Sequence, residues 1–311
     1  MRAFAYDSYG GSGSIHELPD PTPQAGEVRV RVRAASLNPF DNFVVQGYMK
    51  DRMPTQMPLV PCADLSGTVD TVGPGVEDFK IGDQVFGVTG RMIGQGTLAE
   101  LAVASSTTIS KRPAAIQDTE AAAMPLAGVS ALMCVEAVGA KPKDVVVVVG
   151  ASGGIGGYAV QLAAVRGAHV VAVTSKGREE YVRKLGATEV IDRGAGDVLG
   201  ELKSRHAGGV AAMIDTISDA AGLALLSQAV RNGGTVISMR GSASAEELGK
   251  REIKAVNIGT QVNTARLGEL AQLRTEGKLQ SPQIRTFTLA QAGDAFTAIG
   301  QSGGGKLVVT I

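Results

Sequence analysis

The feature that most constrains the fold is a run of five valines, Val145–Val149, followed at once by a glycine-rich turn and an apolar segment. Continuous valine is typical of a strand buried on both faces of a parallel sheet. The turn reads Gly-Ala-Ser-Gly-Gly-Ile-Gly from Gly150 to Gly156. A strand, a glycine-rich turn and a helix in this order favour a dinucleotide site, whose pyrophosphate needs close backbone approach. The alternative is a tight packing turn without a ligand.

The second half of the chain alternates strand-like and helix-like segments. Short apolar runs predict strands over 145–149, 169–174, 189–191, 211–215 and 235–239. The intervening segments predict helices such as 155–166 and 179–185. This alternation is typical of an α/β fold in which a doubly wound parallel sheet is covered by helices on both faces.

The first third of the chain has a different pattern of apolar and polar residues. Alternating valine and arginine at 28–33 predicts a strand with one solvated face. Further short strands are predicted over 65–72, 84–88 and 98–103, separated by Gly and Pro, and together they indicate a small antiparallel barrel. Because a single core stops growing at about 250–300 residues, 311 residues suggest two domains. The last helix, 267–277, and the last strand, 306–311, fit either domain on pattern alone.

Composition excludes several classes of function. Thirty basic and thirty acidic residues give zero net charge without a basic block, so neither a nucleic-acid nor an anionic membrane surface is expected. The uncharged stretches 121–135 and 145–165 contain Gly, Pro or polar residues and do not predict membrane spans. The first residues lack a signal-peptide core, and two cysteines do not form a disulfide framework. A cytoplasmic protein is expected.

The segment after the predicted strand 169–174 indicates which dinucleotide is bound. An NAD-binding protein places an acid here, against the ribose 2′-hydroxyl. This chain instead has Ser175, Lys176 and Arg178, with no acid before Glu179. Since Lys and Arg neutralise a 2′-phosphate, the sequence predicts NADPH. The alternative is a solvated basic loop with a preference for NAD.

The sequence gives little indication of a metal site or of a catalytic nucleophile. The soft metal ligands do not pair at the short spacings of zinc sites, and no set of three or four is apparent, so no metal is predicted. They are His16, Cys62, Cys134, His169 and His206. No G-x-S-x-G elbow is present. Cys62 is either a reactive thiol or, as we favour, a small buried one.

The chain resembles the zinc-free, zeta-crystallin-like quinone oxidoreductase branch of the medium-chain dehydrogenase/reductase superfamily. The motifs that carry the resemblance occur in order along essentially the whole chain. They are Asn-Pro-Phe-Asp at 38–41, Gln-Gly-Tyr at 46–48, Val-Pro-Cys-Ala-Asp-Leu-Ser-Gly at 60–67, Val-Gly-Pro-Gly-Val at 72–76, Gly-Asp-Gln-Val at 82–85, Pro-Leu-Ala-Gly-Val-Ser-Ala at 125–131, the turn at 150–156, Lys-Leu-Gly-Ala at 184–187, Val-Ile-Asp at 190–192 and Gly-Lys-Leu-Val-Val at 305–309.

The resemblance implies a GroES-like catalytic domain over 1–121, a Rossmann NADPH-binding domain over 122–261, and a return to the catalytic domain over 262–311. It also implies a substrate cleft between the domains. Zinc-dependent members have a Cys near position 37 and a His-Glu pair near position 63. This chain has Leu37, Asn38, Ala63 and Asp64 there, and it lacks the four-Cys structural lobe. Zinc-dependent alcohol dehydrogenation is therefore not expected.

The resemblance further implies the residues of the site. For the phosphates of the cofactor, it implies pyrophosphate contacts from Ser152, Gly153, Gly154 and Ile155 and 2′-phosphate contacts from Ser175 and Lys176. For the nucleosides, it implies an adenosine contact from Arg193 and nicotinamide-ribose contacts from Ser238, Met239, Arg240 and Gly241. It also implies catalytic roles in the cleft for Tyr48 and Asn38. Phe43, Leu98 and Leu101 depart from the usual residues of the pocket.

These observations predict an NADPH-dependent, zinc-independent reductase of quinones or α,β-unsaturated carbonyls. The resemblance adds a homodimer as one form of assembly. The alternative is a sensor or structural protein that binds NADPH without turnover, because a fold does not determine function. Short-chain dehydrogenases share the glycine-rich turn but require Tyr-x-x-x-Lys. Here Tyr158 and Tyr181 are followed four positions later by leucine, so that family is excluded.

Overall fold

The computed structural model describes residues 1–52, 55–89, 95–301 and 305–311. The described chain separates into two compact units. Unit 1 contains Met1–Leu126, Val262–Gly277 and Ser281–Ile311. Unit 2 contains Ala127–Gln261 and Lys278–Gln280. The chain therefore leaves unit 1 after Leu126, returns to it at Val262, and ends in it after a short excursion of Lys278–Gln280 into unit 2.

The strands in chain order are β1 (Arg2–Ala5), β2 (Ser14–Glu17), β3 (Glu27–Leu37), β4 (Asp64–Val72), β5 (Gln84–Val88), β6 (Leu101–Ser105), β7 (Ile109–Lys111), β8 (Val145–Val149), β9 (His169–Thr174), β10 (Glu189–Asp192), β11 (Val210–Asp215), β12 (Val230–Ser238), β13 (Lys254–Asn257), β14 (Ile284–Thr288) and β15 (Lys306–Thr310). The helices are α1 (Pro39–Val45), α2 (Asp118–Ala122), α3 (Pro125–Val138), α4 (Gly154–Val165), α5 (Glu179–Lys184), α6 (Val198–Arg205), α7 (Ala220–Leu226), α8 (Ala245–Gly249), α9 (Thr264–Thr275) and α10 (Ala292–Thr297). Among the described residues, no helix is both long and apolar enough to cross a membrane.

Unit 1 is built on a seven-stranded sheet in the order β14-β15-β3-β4-β5-β7, with β6 also paired to β3. All these pairs are antiparallel except β14 with β15. In β3 the alternation has its expected effect: Val28, Val30 and Val32 are buried in the core, whereas Arg29 and Arg31 both pair with Asp70. The predicted GroES-like domain is confirmed. The predicted strand 98–103 begins later than expected, at Leu101.

The end of the chain belongs to unit 1. Strand β15 pairs antiparallel with β3, with Leu307 opposite Leu37, and parallel with β14. Helix α9 lies in the same unit, and its Thr264 side chain donates a hydrogen bond to the carbonyl of Ile109 (2.9 Å). Pattern alone left this assignment open.

Unit 2 is built on a six-stranded sheet in the order β10-β9-β8-β11-β12-β13, and every pair in it is parallel. This order is that of the Rossmann fold, in which the chain runs outwards from a central strand first to one side and then to the other. The five valines form that central strand, and four of them are fully buried. The predicted doubly wound parallel sheet is confirmed.

Candidate functional site

The glycine-rich turn of unit 2 lies between the carboxyl end of β8 and the first turn of α4. Helix α4 begins at Gly154, with Gly153 as its N-terminal cap. Ser152, Gly153, Gly154 and Ile155 are half-buried, so the turn is reachable from solvent. The first backbone N–H groups of a helix have no partner within it, and they carry the positive end of the helix dipole. This arrangement binds phosphate groups.

Two glycines of the turn have no room for a side chain. Gly150 has a φ of +80°, and a Cβ there would lie 2.4 Å from Thr216 Oγ1. A Cβ on Gly156 would lie 2.1 Å from the carbonyl oxygen of Gly150. The turn therefore closes tightly onto the start of the helix, and only glycine allows this. The cradle fits the pyrophosphate of a dinucleotide, which packs against bare backbone.

The loop after β9 carries the residues predicted to select the cofactor. Ser175 and Lys176 are exposed, and Arg178 is a half-buried cap of α5. The backbone N–H of Arg193 donates to the carbonyl of Thr174 (2.7 Å), and its guanidinium reaches Ser175 Oγ (3.4 Å). The sheet thus brings Arg193, at the end of β10, beside the end of β9. The structure places four of the predicted cofactor residues at one edge of unit 2.

The loop after β12 holds the other predicted cofactor residues. Ser238 is buried, and its hydroxyl oxygen accepts the backbone N–H groups of Arg240 (3.1 Å) and Ser242 (3.0 Å). The Arg240 guanidinium donates to the carbonyl of Ile217 (3.0 Å). Gly241 has a φ of +73°. Ser238 therefore shapes this loop, while Met239, Arg240 and Gly241 form its accessible part.

Asp215 is a residue of this edge that the sequence reasoning missed. It ends β11 and is buried, and its Oδ1 accepts the backbone N–H groups of Ile217 (2.9 Å) and Ser218 (2.7 Å). Its Oδ2 is also buried and has no hydrogen-bond partner among the described residues. An acid at the end of a buried apolar strand was the available signal, because carboxyl ends of parallel strands line ligand crevices.

In unit 1, Asn38 belongs to a buried polar network. Its Nδ2 donates to Asp64 Oδ2 (2.9 Å), and its Oδ1 accepts from the ammonium group of Lys306 (2.6 Å). Lys306 also donates to the carbonyl of Leu37 (3.1 Å). The backbone N–H of Leu126 donates to Asp64 Oδ1 (3.0 Å). Both polar atoms of the Asn38 side chain are therefore engaged within unit 1, which favours a structural role over the predicted catalytic one.

A buried lysine supplies the positive charge of this network. Lys306 Nζ lies 3.6 Å from Asp64 Oδ2, and both side chains are almost completely buried. Sequence reasoning missed Lys306, because a lysine near the start of a strand usually reads as a solvated charge.

Burial and neighbouring charges alter the acidity of the network. Burial raises the pKa of Asp41 to about 7, with a further increase from the charge of Asp64, although the backbone N–H of Asn38 and the charge of Lys306 oppose this. Burial also raises the pKa of Asp64, while Lys306 opposes it. The Cys62 thiol is buried, and burial together with the two carboxylates raises its pKa well above its usual range. Since the thiolate is the reactive form, this burial favours the small buried thiol over the reactive one.

The Asp41→Asn variant is expected to be more stable than the wild type at pH 8. The pKa of Asp41 is about 7 in the folded protein, whereas an aspartate in an unfolded chain titrates near about 3.9. Between these values the folded state binds more protons than the unfolded state, so wild-type stability falls as pH rises through this window and levels off above it. Urea unfolding of both proteins at pH 5 and pH 8 measures the difference.

Asp78→Asn, at an exposed carboxyl, is the matched control and should leave the pH dependence unchanged. An Asp41→Asn protein that is less stable than the wild type at pH 8 would contradict the pKa assignment.

Tyr48, the other predicted catalytic residue, lies in the turn after α1. Its side chain is 74% exposed and packs edge-on against Phe43, with ring centroids 5.8 Å apart. The structure therefore places Tyr48 and Asn38 in different surroundings, one at the surface and one in the interior.

The expectation that no three metal ligands meet is wrong in unit 2. His169 Nε2 lies 2.6 Å from Glu189 Oε1, and His206 Nε2 lies 3.3 Å from the same oxygen. These three groups form the cluster of potential ligands found in the described part of the chain. The sequence spacing gave no sign of them, because sheet order brings them together.

Comparison with known proteins agrees with this architecture. Residues 24–114 match the alcohol dehydrogenase GroES-like domain, and residues 154–264 match the zinc-binding dehydrogenase domain. The chain is 42% identical to the chloroplast envelope quinone oxidoreductase homolog of Arabidopsis thaliana, over 62% of this chain and 61% of that protein. It is 32% identical to a chloroplastic quinone oxidoreductase of Triphysaria versicolor, over 99% of this chain and 98% of that protein.

Among solved structures, the quinone oxidoreductase of Coxiella burnetii superposes with a TM-score of 0.92 at 28% identity, covering 100% of this chain and 99% of that one. Similarity to the Triphysaria versicolor and Coxiella burnetii proteins thus covers nearly all of this chain and of each relative, whereas the Arabidopsis thaliana match spans less than two thirds of that protein. With the Rossmann strand order and the glycine cradle, it shows that the chain belongs to the quinone oxidoreductase branch of the medium-chain dehydrogenase/reductase superfamily, whose members are nicotinamide-dependent oxidoreductases.

Proposed function

We propose that the protein is an NADPH-dependent reductase that transfers hydride to a quinone or an α,β-unsaturated carbonyl, with no metal in the chemical step. The observation that carries the proposal is the edge of unit 2, where the glycine cradle lies near a loop that bears Lys176 and the Ser175–Arg193 contact instead of an acid. The quinone oxidoreductases among the relatives support a quinone as acceptor.

The residues of unit 2 bind and orient the cofactor. The N–H groups at the start of α4 would hold the pyrophosphate, and Lys176 and Arg193 would neutralise a 2′-phosphate. The loop shaped by Ser238 lies at the carboxyl end of the neighbouring part of the sheet, where the nicotinamide half is expected. A bound dihydronicotinamide supplies a hydride to an electrophilic carbon or quinone.

Reduction leaves negative charge on a substrate oxygen, which has to be protonated. A preorganised donor fixed by its surroundings is the most effective partner for such a charge. Asn38 is fixed, but its amide is engaged with Asp64 and Lys306. Tyr48 presents an exposed ring. We therefore assign the proton to water and a packing role to Tyr48.

The experiment that tests the proposed activity is NADPH consumption with a panel of quinones and enones, followed by identification of the reduced product. Steady consumption with at least one of these classes is expected. Tight NADPH binding without consumption would favour the alternative, a protein that binds the cofactor without turnover.

We expect NADPH to bind at least tenfold more tightly than NADH. A hydrogen bond between a phosphate and a charged side chain contributes about 1.5–3 kcal/mol, and about 1.4 kcal/mol corresponds to a factor of ten. The Lys176→Ala variant should lose most of this preference by weakening NADPH binding while leaving NADH binding unchanged. Fluorescence titration of the reduced cofactors measures both affinities.

Lys184→Ala is the control, since Lys184 is also exposed but pairs with Glu180 on α5. Equal affinities of the wild type for NADPH and NADH would contradict the proposed specificity.

The Tyr48→Phe variant should keep kcat within a few-fold of the wild type for both enones and quinones. The substitution retains the ring that packs on Phe43 and removes only the hydroxyl. Loss of a true proton donor would instead lower the rate by about 10²–10⁴-fold. Steady-state kinetics with both substrate classes distinguish the two roles, and a hundredfold fall in kcat with enones at unchanged NADPH affinity would assign the proton to Tyr48.

A further inference from the structure

Three potential ligand side chains converge at the amino edge of the sheet in unit 2. His169 is the first residue of β9 and Glu189 the first of β10, and the two strands are adjacent and parallel. His206 directly follows the last residue of α6. The potential ligand atoms all lie within 4.8 Å of one another. This edge is opposite to the one that carries the glycine cradle.

The strand periodicity explains why His169 and Glu189 share a face. Side chains alternate along a strand, so His169 shares its face with Val171, and Glu189 shares its face with Ile191. Val171 and Ile191 belong to one core cluster, together with Leu202 of α6. His169 and Glu189 therefore lie at the edge of the sheet, on the same face as these buried apolar side chains.

Helix α6 brings the third ligand to the same place. It follows β10 and runs back along the sheet, so its last turn lies near the edge where β9 and β10 begin. His206 lies four residues after the buried Leu202, on the same side of the helix. The backbone N–H of His206 still donates to the carbonyl of Leu202 (2.9 Å), so the main chain of His206 remains attached to the last turn of α6.

Within the cluster, His169 Nε2 and Glu189 Oε1 share a hydrogen bond of 2.6 Å, but the third ligand does not close the network. His206 Nε2 is buried and makes no hydrogen bond to a described residue, although it lies 3.3 Å from Glu189 Oε1. Ligand atoms about 2.0–2.1 Å from a tetrahedral Zn²⁺ lie roughly 3.3 Å from one another. The His206–Glu189 separation already matches this spacing, and the His169–Glu189 separation of 2.6 Å has to increase by less than an ångström.

The surroundings supply what a three-ligand site needs. An open cavity of about 560 Å³ borders the cluster and leaves room for water as a fourth ligand. The other oxygen of Glu189, Oε2, lies 3.6 Å from Arg205 Nη1, which orients the carboxylate. Arg205 also pairs with Glu201 on its own helix, so its charge is shared between two carboxylates.

We propose that His169, Glu189 and His206 form a binding site for a zinc-type divalent cation at the amino edge of the sheet in unit 2. Two imidazoles and one carboxylate are a donor set that suits Zn²⁺ and its neighbours in the first transition row. The bound ion ties together β9, β10 and α6. Since β9 advances about 3.3 Å per residue, the site lies roughly 16 Å from the edge that binds the cofactor. The ion therefore stabilises unit 2 and takes no part in hydride transfer.

The test uses full-length protein without an affinity tag, stripped of metal with a chelator and then titrated with ZnCl₂ by calorimetry. One Zn²⁺ per chain and a rise in melting temperature are expected. Glu189→Gln and His206→Gln should each weaken binding at least tenfold, which is about 1.4 kcal/mol, and abolish the rise. Their metal-free melting curves establish that they are folded. Co²⁺ in the same site should show the visible absorption of tetrahedral coordination.

His16→Gln is the matched control, because His16 lies in β2 of unit 1 and is the one histidine of the sequence outside the cluster. This variant should bind Zn²⁺ as the wild type does. Absence of stoichiometric binding in the wild type, or unchanged binding in folded Glu189→Gln and His206→Gln, overturns the proposal. Loss of reductase turnover on chelation overturns the remote role, whereas failure of the proposed reductase activity leaves the binding result intact.

Discussion

Replacement of Gly156 by alanine is expected to weaken dinucleotide binding by at least about 100-fold, which is about 2.7 kcal/mol. The new Cβ would lie 2.1 Å from the carbonyl oxygen of Gly150, a backbone atom that cannot rotate away. Either the turn or the start of α4 has to move, and the N–H groups that hold the pyrophosphate move with it. Overpacking of this kind also costs about 1–3 kcal/mol of stability.

Gly268→Ala provides the matched comparison, because it makes the same substitution in the interior of α9, where a Cβ would meet nothing within 4 Å. That variant should gain about 0.5–1 kcal/mol of stability and bind the cofactor normally. Both affinities are measured by cofactor fluorescence, and both stabilities by urea unfolding. A Gly156→Ala protein with wild-type affinity would show that the turn does not hold the pyrophosphate.

The second large effect is expected for Lys306→Met, which should lower the free energy of unfolding at pH 8 by about 3–5 kcal/mol. The substitution keeps most of the side-chain volume but removes the cation that lies 3.6 Å from the fully buried Asp64. It also leaves Asn38 Oδ1 and the carbonyl of Leu37 without their shared donor. Breaking one partner of a buried pair is costly because the other charge stays in the interior.

Two further variants test whether the loss of stability arises from the buried charge pair. Lys306→Met combined with Asp64→Asn removes both charges and should recover part of the loss. Lys111→Met breaks the pair between the solvent-exposed Lys111 and the half-buried Asp83 and should cost less than about 1 kcal/mol. Urea unfolding of the wild type and the three variants measures their free energies of unfolding. A loss for Lys306→Met no larger than that for Lys111→Met would contradict a stabilising role of the buried lysine.

Sequence reasoning worked where one segment carries its own signal. The valines of β8 and the apolar runs of β9 and β11 predict their strands closely, because burial on both faces leaves a continuous apolar pattern. The glycine-rich turn was recognisable for a similar reason, since phosphate binding and tight turning act on neighbouring residues. Strand β14 was missed because three of its five residues are exposed and its pairing with β15 is not local.

The parts of the site that escaped prediction depend on contacts between distant residues. Lys306 lies 242 positions after Asp64, and no local pattern shows that its ammonium group is buried. His169, Glu189 and His206 come together only when the order of the strands is known. Asn38 was predicted from the resemblance as a catalytic donor, but its partners are residues that the motif does not contain.

The path of the chain between the two units has a consequence for its biosynthesis. Every residue of unit 2 has been made once residue 280 is reached, whereas unit 1 still lacks β14, β15 and Lys306. Domains generally fold as units during synthesis. The sheet of unit 2 can therefore form before β15 is available to pair with β3. Unit 1, which includes residues 1–126, is then the last of the two units to fold completely. Ribosome-bound intermediates of increasing length should accordingly acquire protease resistance first in the middle of the chain.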